Sequence, residues 1–500
     1  MTQGEMTSRL RRVLPFRTVV STSTGLAYAA ISLLACIQMA SFLAGDSAWI
    51  ALLVAGGLAL LAAFCFSELN ALYPTAAAIR QYIRAAFGER FSLTVSFGYL
   101  LTIVAVIAAD SYVVASAISC FSNGCYRHGG ALENPTVDTY LWIFALLAVA
   151  AVANLLGIRI AGLVQDVTTY ALLISLAIIS VIALSRDGFH LTQPFNAFSQ
   201  PVNFVQAVAV GVFVFSAFEW VTPLAEETSD TRQIPRGMFV ALGLLFVSYA
   251  LFTVATTHVV GIEHLCQHIG SPSVLCSNVP QMFLGYQALG TAGALWMLIA
   301  TLFTGVMTFN GGFATASRFI YAAARDATLP EAFARLSYAH VVPWVAVLAL
   351  TISSGVIAVI VALTSAYQVL IAVGAVLEAL IYAIAGLCVL RLRRRQPESP
   401  RSFRIPGGAV IPGATIAIFG VLAVVAALIT VPVRVGGSTL DLPLPLIITV
   451  IVFALSFLYV ATWVPRLKAA EEARRAQRRR RRPQHAPGES PMPSDTMEGS

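Results

Sequence analysis

Three acidic residues interrupt the long apolar stretches of this chain: Asp110, Glu219 and Glu378. No arginine or lysine is expected at the same depth. A charged side chain at the centre of a bilayer costs about 2.5–3.5 kcal/mol on insertion scales, so each acid should face a polar cavity, be protonated, or meet a cationic ligand. A buried carboxyl can exchange a proton for a cationic amine, which makes all three candidates for substrate binding and for proton coupling. For Glu219, hydrogen bonding to backbone groups freed by a helix break is an equally good interpretation.

The elements that must position these acids are membrane-spanning helices. Of the 500 residues, 58% are hydrophobic and 11% are charged, whereas a soluble domain is about a quarter charged. The apolar residues fall in runs of roughly twenty, the length that crosses the hydrocarbon core as a helix. We therefore expect an all-α, polytopic membrane protein with about 12 transmembrane helices. The predicted spans are residues 20–44, 48–69, 92–121, 139–157, 163–184, 202–225, 238–260, 287–315, 343–363, 367–390, 409–431 and 443–464.

The placement of arginine predicts the orientation. An even number of spans puts both termini on one side, and a cytoplasmic N-terminus leaves only Arg127, Arg186 and Arg434 in outward loops, with 28 of the 31 basic residues inward. Positive loops stay in the cytoplasm, so we expect a multi-pass protein of the cell inner membrane with both termini cytoplasmic. The tail 466–500 carries a basic run and then a segment expected to be disordered. The run is interpreted as a topology determinant or as a contact for anionic membrane lipid.

Lysine is nearly absent, and this excludes several functions. Lys468, beyond the last span, is the only lysine, so the chain lacks the lysine that a P-loop needs to hold phosphate. A Schiff-base lysine among the helices is excluded as well. No constellation of His, Cys and Ser lies at one depth, so we expect no enzyme and no cofactor. The basic residues collect at the cytoplasmic side of the spans, so nucleic acid is not an expected partner.

Four cysteines lie in predicted outward loops: Cys120 and Cys125 in one, Cys266 and Cys276 in another. An oxidising exterior favours disulfides there. Of the three possible connectivities, we expect the two local ones, Cys120–Cys125 and Cys266–Cys276. A metal site at His264, Cys266 and His268 was the alternative, but no complete tetrahedral set has the usual spacing, so no metal is expected.

Four segments carry motifs in a fixed order. Residues 67–88 read SELNALYPTAAAIRQYIRAAFG, 215–236 read FSAFEWVTPLAEETSDTRQIPR, 317–330 read SRFIYAAARDATLP, and 392–406 read LRRRQPESPRSFRIP. They resemble ELxxxYPxxGGxYxYxxxxFG, GFE…AEE…RxIPR, SRxxxAxARDGxLP and LRxxxPxxxRPFxxP of the amino acid–polyamine–organocation (APC) superfamily of permeases. The chain is thereby identified as a member of that superfamily.

The resemblance implies a fold of five helices plus five in an inverted repeat, with helices 1 and 6 broken near the membrane midplane and two further helices. It divides the chain into an N-terminal segment 1–19, a first repeat 20–184, a second repeat 202–390, helices 11 and 12 at 409–464, and the tail. Counting back from Pro74 puts the first break near Ala30–Leu33, where the glycines of the family's GSGIF motif are missing. In the second break, Ala217 stands for the family's glycine.

A bound polar ligand can form hydrogen bonds with the backbone groups that a helix break leaves free. The residues around the two breaks are therefore the remaining site candidates. Around the breaks they are Ser32, Ser216, Ala217, Phe218 and Glu219. Phe213 is the first candidate and Phe313 the second for an aromatic ring that closes over the substrate. Thr304 and Thr308 share a helix face and are typical either of a sodium site or of threonines bonded back to their own helix.

The implied function is a secondary active permease for amino acids that works by alternating access. It would exchange substrates or couple to protons, with a possible preference for cationic substrates. The substrate is a small molecule, and the proton is the expected coupling ion. A polyamine or organic amine transporter is the alternative within transport, favoured by the three buried acids and the missing glycine break. A transporter-like sensor is a further hypothesis.

Overall fold

The computed structural model describes residues 13–43, 48–128, 137–187, 200–230, 232–267, 275–337, 340–364, 367–435 and 438–481. Residues 1–12, His268 and the tail residues 482–500 lie outside the described residues, so the expectations for those segments are not addressed.

Helices make up most of the described chain. They are α1 (Phe16–Ala27), α2 (Ala30–Ser41), α3 (Ala48–Leu72), α4 (Ala78–Phe87), α5 (Glu89–Asn123), α6 (Val137–Leu155), α7 (Ile158–Asp187), α8 (Pro201–Val214), α9 (Gln233–Ala255), α10 (Ile262–Leu265), α11 (Pro280–Leu289), α12 (Thr291–Arg325), α13 (Trp344–Thr364), α14 (Tyr367–Arg395), α15 (Val410–Ala427) and α16 (Leu444–Arg481). Turns of 3₁₀-helix cover Cys125–His128, Phe218–Glu226 and Glu331–Ala334, and a π-helical turn covers Thr256–Val260.

Within the described residues, 11 segments are long and apolar enough to cross a membrane, and one bent pair of helices brings the number to 12. That pair is α1 and α2, which meet at an angle of 50°. The predicted number of spans is therefore confirmed. The largest difference in a boundary is in the twelfth span, predicted at 443–464, where α16 continues to Arg481. The eighth span, predicted at 287–315, also ends later, because the last turns of α12, up to Arg325, pack into the protein.

Two short hairpins lie at the ends of spans. Strands β1 (Cys266–Gln267) and β2 (Leu275–Cys276) pair antiparallel, as do β3 (Val431–Val435) and β4 (Ser438–Leu442). The β3–β4 hairpin was not predicted from the sequence, which placed the end of the eleventh span at 431. In the hairpin between β1 and β2, Cys266 is paired with Cys276, and Cys120 is paired with Cys125 where α5 ends at the left-handed Gly124.

Four mostly buried segments lie at the centre of the bundle: α1, α2, α8 and the 3₁₀ segment Phe218–Glu226. Helix α2 contacts α8, and α1 contacts α7, α9 and this 3₁₀ segment. Helix α5 contacts α12 and α14. Helix α16 lies at the periphery, with many apolar side chains exposed toward the membrane. We call the side that bears the two cysteine pairs the disulfide face, and the side that bears Arg80, Arg318 and Arg393 the arginine-rich face.

Candidate functional site

The first break in a span separates α1 from α2 at Tyr28 and Ala29, where the backbone leaves the helical region. The side chains of two tyrosines stabilise this break, which lacks the glycines of the family motif. The rings of Tyr28 and Tyr249 stack with centroids 4.6 Å apart, the Tyr249 hydroxyl donates to the Ala27 carbonyl at 2.6 Å, and the Tyr28 hydroxyl bonds Ser248 at 2.7 Å. The prediction of a break near Ala30–Leu33 is thus two residues too far along the chain, because side chains of α9 hold the break rather than glycine.

Asp110 of α5 caps the half-helix that starts after this break. Its Oδ1 accepts a hydrogen bond from the Ile31 amide at 2.9 Å, and the Ala30 amide also points at the carboxyl. Asp110 is fully buried, and its Oδ2 has no hydrogen-bond partner among the described residues. The Thr308 hydroxyl of α12 lies beside the same carboxyl without reaching hydrogen-bond geometry. A carboxyl group of the protein therefore already occupies the positive end of the half-helix.

The second break lies between α8 and the 3₁₀ segment Phe218–Glu226. Ala217 sits there in the left-handed region, at φ +71°, a conformation that costs a non-glycine residue about 1–2 kcal/mol. The Ser216 hydroxyl and amide both donate to the Phe213 carbonyl, at 2.8 and 3.0 Å, and the Ser23 hydroxyl of α1 donates to the Phe218 carbonyl at 2.7 Å. The side chains of both broken spans thus satisfy part of the freed backbone.

Glu219, in the first turn after the second break, is held by two tyrosines. Its Oε1 accepts from the Tyr99 hydroxyl of α5 at 2.6 Å, and its Oε2 accepts from the Tyr382 hydroxyl of α14 at 2.9 Å. The Tyr99 ring also stacks on Trp220 with centroids 4.2 Å apart. Glu219 therefore ties the broken span to α5 and α14, and its carboxylate receives two donors.

Glu378 of α14 lies next to Glu219, near enough for the two carboxyls to interact directly. Glu378 is 1% exposed, and in the described part of the chain neither of its oxygens has a partner in hydrogen-bond geometry. Two adjacent buried carboxyls cannot both be ionised, so such a pair shares a proton. Both tyrosine hydroxyls donate to Glu219 and none to Glu378, so Glu219 is the better placed of the two to carry a negative charge.

The three acids do not form one cluster. Asp110 and Tyr99 are 11 residues apart on α5, which separates them by about 16 Å along the helix axis. Tyr99 contacts Glu219, so Asp110 lies on the disulfide side of the Glu219–Glu378 pair. Within the described residues, no ion pair joins any of the three acids to a basic side chain.

Phe213 lies on the wall of an apolar cavity of about 120 Å³, which is also lined by Ile31, Thr102 and Gly374. The ring packs so closely on Gly374 that a Cβ there would lie 2.4 Å from it. Ile31 links this cavity to the Asp110 cap, because its amide binds the carboxylate. Phe313 is fully buried in α12, and Ser32, which is 4% exposed, continues the first turn of α2.

Polar side chains of α6, α7 and α12 join α1 to the rest of the bundle. Asn310 donates to Gln165 Oε1 at 3.2 Å, and Gln165 and Thr169 both donate to the Ser21 carbonyl, at 3.3 and 3.2 Å. The Thr304 hydroxyl donates to the Thr301 carbonyl at 2.7 Å. Of the two interpretations offered for Thr304, a sodium site or a hydroxyl bonded back to its own helix, this contact is the second. Among the described residues, no group of three or more His, Cys, Asp or Glu side chains could hold a metal ion.

Ion pairs close the arginine-rich face. Arg318 of α12 and Glu227 form a fully buried pair, with Nε 3.0 Å from Oε2. Arg80 in α4 pairs with Asp326 at 2.9 Å; burial lowers the pKa of Arg80, and the Asp326 carboxylate opposes that shift. Asp166 of α7 accepts hydrogen bonds from Thr18 and Ser21 of α1, which fixes the first half-helix in place. These contacts join α1 to α7, α4 to the end of α12, and α12 to Glu227 after the 3₁₀ segment Phe218–Glu226.

Two site residues were missed in the sequence: Tyr99 and Tyr382. A signal for each was present, since Tyr382 lies four residues after Glu378 and so shares its helix face. Tyr99 lies 11 residues, or about three turns, before Asp110 and shares that face of α5. Their contact with Glu219 depends on the tertiary packing of three spans.

The described residues form twelve spans, two of them broken, and a buried carboxyl lies at each break. This arrangement defines a multi-pass membrane transport protein. The chain belongs to the amino acid permease family, whose profile matches residues 15–457. It is 22% identical over 385 residues to the branched-chain amino acid permease of Bacillus subtilis, covering 75% of this chain and 79% of that protein.

Human proteins are similar to the same extent. The Asc-type amino acid transporter 1 is 26% identical over 384 residues, covering 74% of this chain and 68% of the transporter. The large neutral amino acids transporter small subunit 2 is 25% identical over 365 residues, covering 71% of this chain and 64% of the transporter. These relatives are transporters, in agreement with the motifs in the four segments, and a small molecule is the substrate.

Proposed function

We propose that this protein is a secondary active transporter that moves amino acids or related organic amines across the cytoplasmic membrane by alternating access. The observation that carries the proposal is the pair of helix breaks, with Asp110 at one and Glu219 at the other. Backbone freed inside a membrane is tolerated only where protein or a polar ligand satisfies it, and broken spans are where such carriers bind their substrates.

The closed arginine-rich face supports one half of the transport cycle. Substrate reaches the breaks from the disulfide face while Arg318–Glu227 and Asp166 hold the other face shut. Release to the arginine-rich side then requires these contacts to separate, together with the Tyr99–Trp220 stack. The energy for opening comes from the difference in substrate affinity between the two states.

Proton coupling is part of the proposal, and the Glu219–Glu378 pair is its carrier. A pair that shares one proton can lose it when a cation approaches and regain it when the cation leaves. Exchange of one substrate for another is the alternative energy source. No residue of the pair acts in a catalytic reaction, and we propose neither an enzymatic activity nor a resident cofactor.

The orientation follows from the charges of the loops. We propose that the arginine-rich face and both termini are cytoplasmic, that the membrane is the cell inner membrane, and that the basic tail near residue 474 contacts lipid head groups. The proposed division into repeats 20–184 and 202–390, followed by 409–464, places one broken span at the start of each repeat.

Uptake by purified protein in liposomes tests this proposal. The panel is labelled leucine, alanine, lysine, arginine and putrescine, each with and without an inward proton gradient. We expect saturable uptake of at least one compound, abolished by Glu219→Ala. Uptake of putrescine alone would favour the alternative of a polyamine transporter, which the three buried acids also support. Saturable binding without any flux would contradict transport and favour a sensor.

A further inference from the structure

Protein carboxyls occupy the positive ends of both half-helices at the breaks. The Asp110 carboxyl accepts a hydrogen bond from the Ile31 amide of α2 and also faces the Ala30 amide. The Glu219 carboxyl interacts with its own backbone amide at the start of the 3₁₀ segment Phe218–Glu226. Such helix ends are the places in a broken span that attract the carboxylate of a substrate. Here a second carboxylate would meet amides already bonded and a negative side chain beside them.

Two buried polar atoms at this break have no partner in hydrogen-bond geometry among the described residues. They are Asp110 Oδ2 and Thr308 Oγ1, on side chains that are fully buried and lie beside each other. Buried polar atoms are nearly always hydrogen-bonded in folded proteins. A carboxylate oxygen accepts hydrogen bonds only, and a hydroxyl both accepts and donates. The pair therefore suits a ligand that is rich in donors and positively charged.

We propose that the substrate is recognised through its ammonium group, bound by Asp110 Oδ2 and Thr308 Oγ1, and that a carboxylate on the substrate is not needed for recognition. This inference rests on the proposed transport function and specifies its substrate class as primary amines. An ammonium supplies three donors. The apolar cavity beside Ile31 receives the hydrocarbon part of the same molecule.

Competition between matched compounds tests the inference on the wild-type protein. Each amino acid is compared with its decarboxylated amine, using leucine with isoamylamine and arginine with agmatine. Leucine is also compared with N-acetylleucine, which keeps the carboxylate and loses the only cation of the molecule. Binding is read both as inhibition of uptake and as a shift of the melting temperature, because a ligand of the folded state stabilises it.

We expect the amine to bind at least as tightly as its amino acid, and the N-acetyl derivative to bind at least 100-fold more weakly. An amine that binds tenfold more weakly than an amino acid that is itself transported would overturn the inference and leave the transport function standing. Failure of every compound to bind or move would overturn both. Stabilisation by sodium chloride but not by choline chloride, with no effect of amines, would assign the two atoms to a metal cation and also overturn it.

Variants at Asp110 give a second readout. Asp110→Asn keeps an acceptor for the Ile31 amide but removes the charge, so amine affinity should fall at least tenfold while amino acid affinity falls less. Asp110→Ala releases the two amides, so the preference should turn toward the amino acid. Asp138→Asn makes the same chemical change at an exposed position of α6 and should leave both affinities unchanged. Unchanged preference in a folded Asp110→Asn protein would contradict the assignment.

Discussion

The buried ion pair between Arg318 and Glu227 should hold the arginine-rich face closed, and breaking it from one side should open that face. The two side chains are only 1% and 2% exposed. In Glu227→Gln the guanidinium stays buried without its counter-charge, and breaking a buried pair in this way costs about 3–5 kcal/mol. At about 1.4 kcal/mol per factor of ten, the closed state should weaken by roughly 10²- to 4 × 10³-fold relative to a state in which Arg318 is hydrated.

The neighbouring residue provides a matched control. Glu226 pairs with Arg325 at 3.5 Å, but these side chains are 24% and 42% exposed, and an exposed pair contributes about 0–1 kcal/mol. Glu226→Gln should therefore change the balance between the closed and open states by less than about fivefold. The double variant Glu227→Met, Arg318→Met removes both charges at once and should restore closure, because no unpaired charge remains.

The assay is the rate at which a membrane-impermeant maleimide, added at the arginine-rich face, labels a cysteine at Thr22. Thr22 is buried beside α7 and α12 on that side, and the three free cysteines, also buried, are replaced by alanine. Labelling in Glu227→Gln should rise by about the factor that the closed state loses. Equal, slow labelling in Glu227→Gln and Glu226→Gln would refute the role of this ion pair in closure.

Four further predictions concern the breaks, a disulfide and the orientation. Glu219→Gln keeps most hydrogen bonding with the two tyrosines and should transport better than Glu219→Ala, which leaves their hydroxyls unpaired at about 1–3 kcal/mol; equal, near-normal uptake in both variants would show that Glu219 is peripheral. Ala217→Gly relieves the left-handed backbone and should raise thermal stability by up to about 1 kcal/mol, measured as the melting temperature; a lower melting temperature would contradict the strain. Peptide mapping without reductant should recover Cys266 linked to Cys276. A cysteine introduced at Ser399 should not be labelled by impermeant reagents in intact cells, and labelling of that cysteine would overturn the orientation.

The membrane fold was largely predictable because hydropathy and arginine placement are properties of local sequence. The first break was misplaced because its position was counted back from Pro74, whereas Tyr28 and Tyr249, far apart in the chain, hold the break by stacking. The second break was expected around Ser216–Phe218, and the structure has it at Phe215–Ala217.

The three acids could be singled out from the sequence, but their positions relative to one another could not. Asp110, Glu219 and Glu378 stand out by their depth, but only tertiary packing brings Glu378 of α14 next to Glu219 and leaves Asp110 at the start of α2. The role of Asp110 as a cap could not be read from its own helix, because α5 is unbroken. It depends on amides freed at residues 30 and 31, 79 residues earlier in the chain.

Counterflow in liposomes tests the central claim, alternating access at the two breaks, most directly. Vesicles are loaded with unlabelled arginine or leucine and diluted into a trace of the same labelled compound. A carrier predicts a transient accumulation of label above its outside concentration for at least one compound, and loss of that overshoot in Glu219→Ala. Label that only equilibrates, with no overshoot for any transported compound, would indicate a channel and contradict the account.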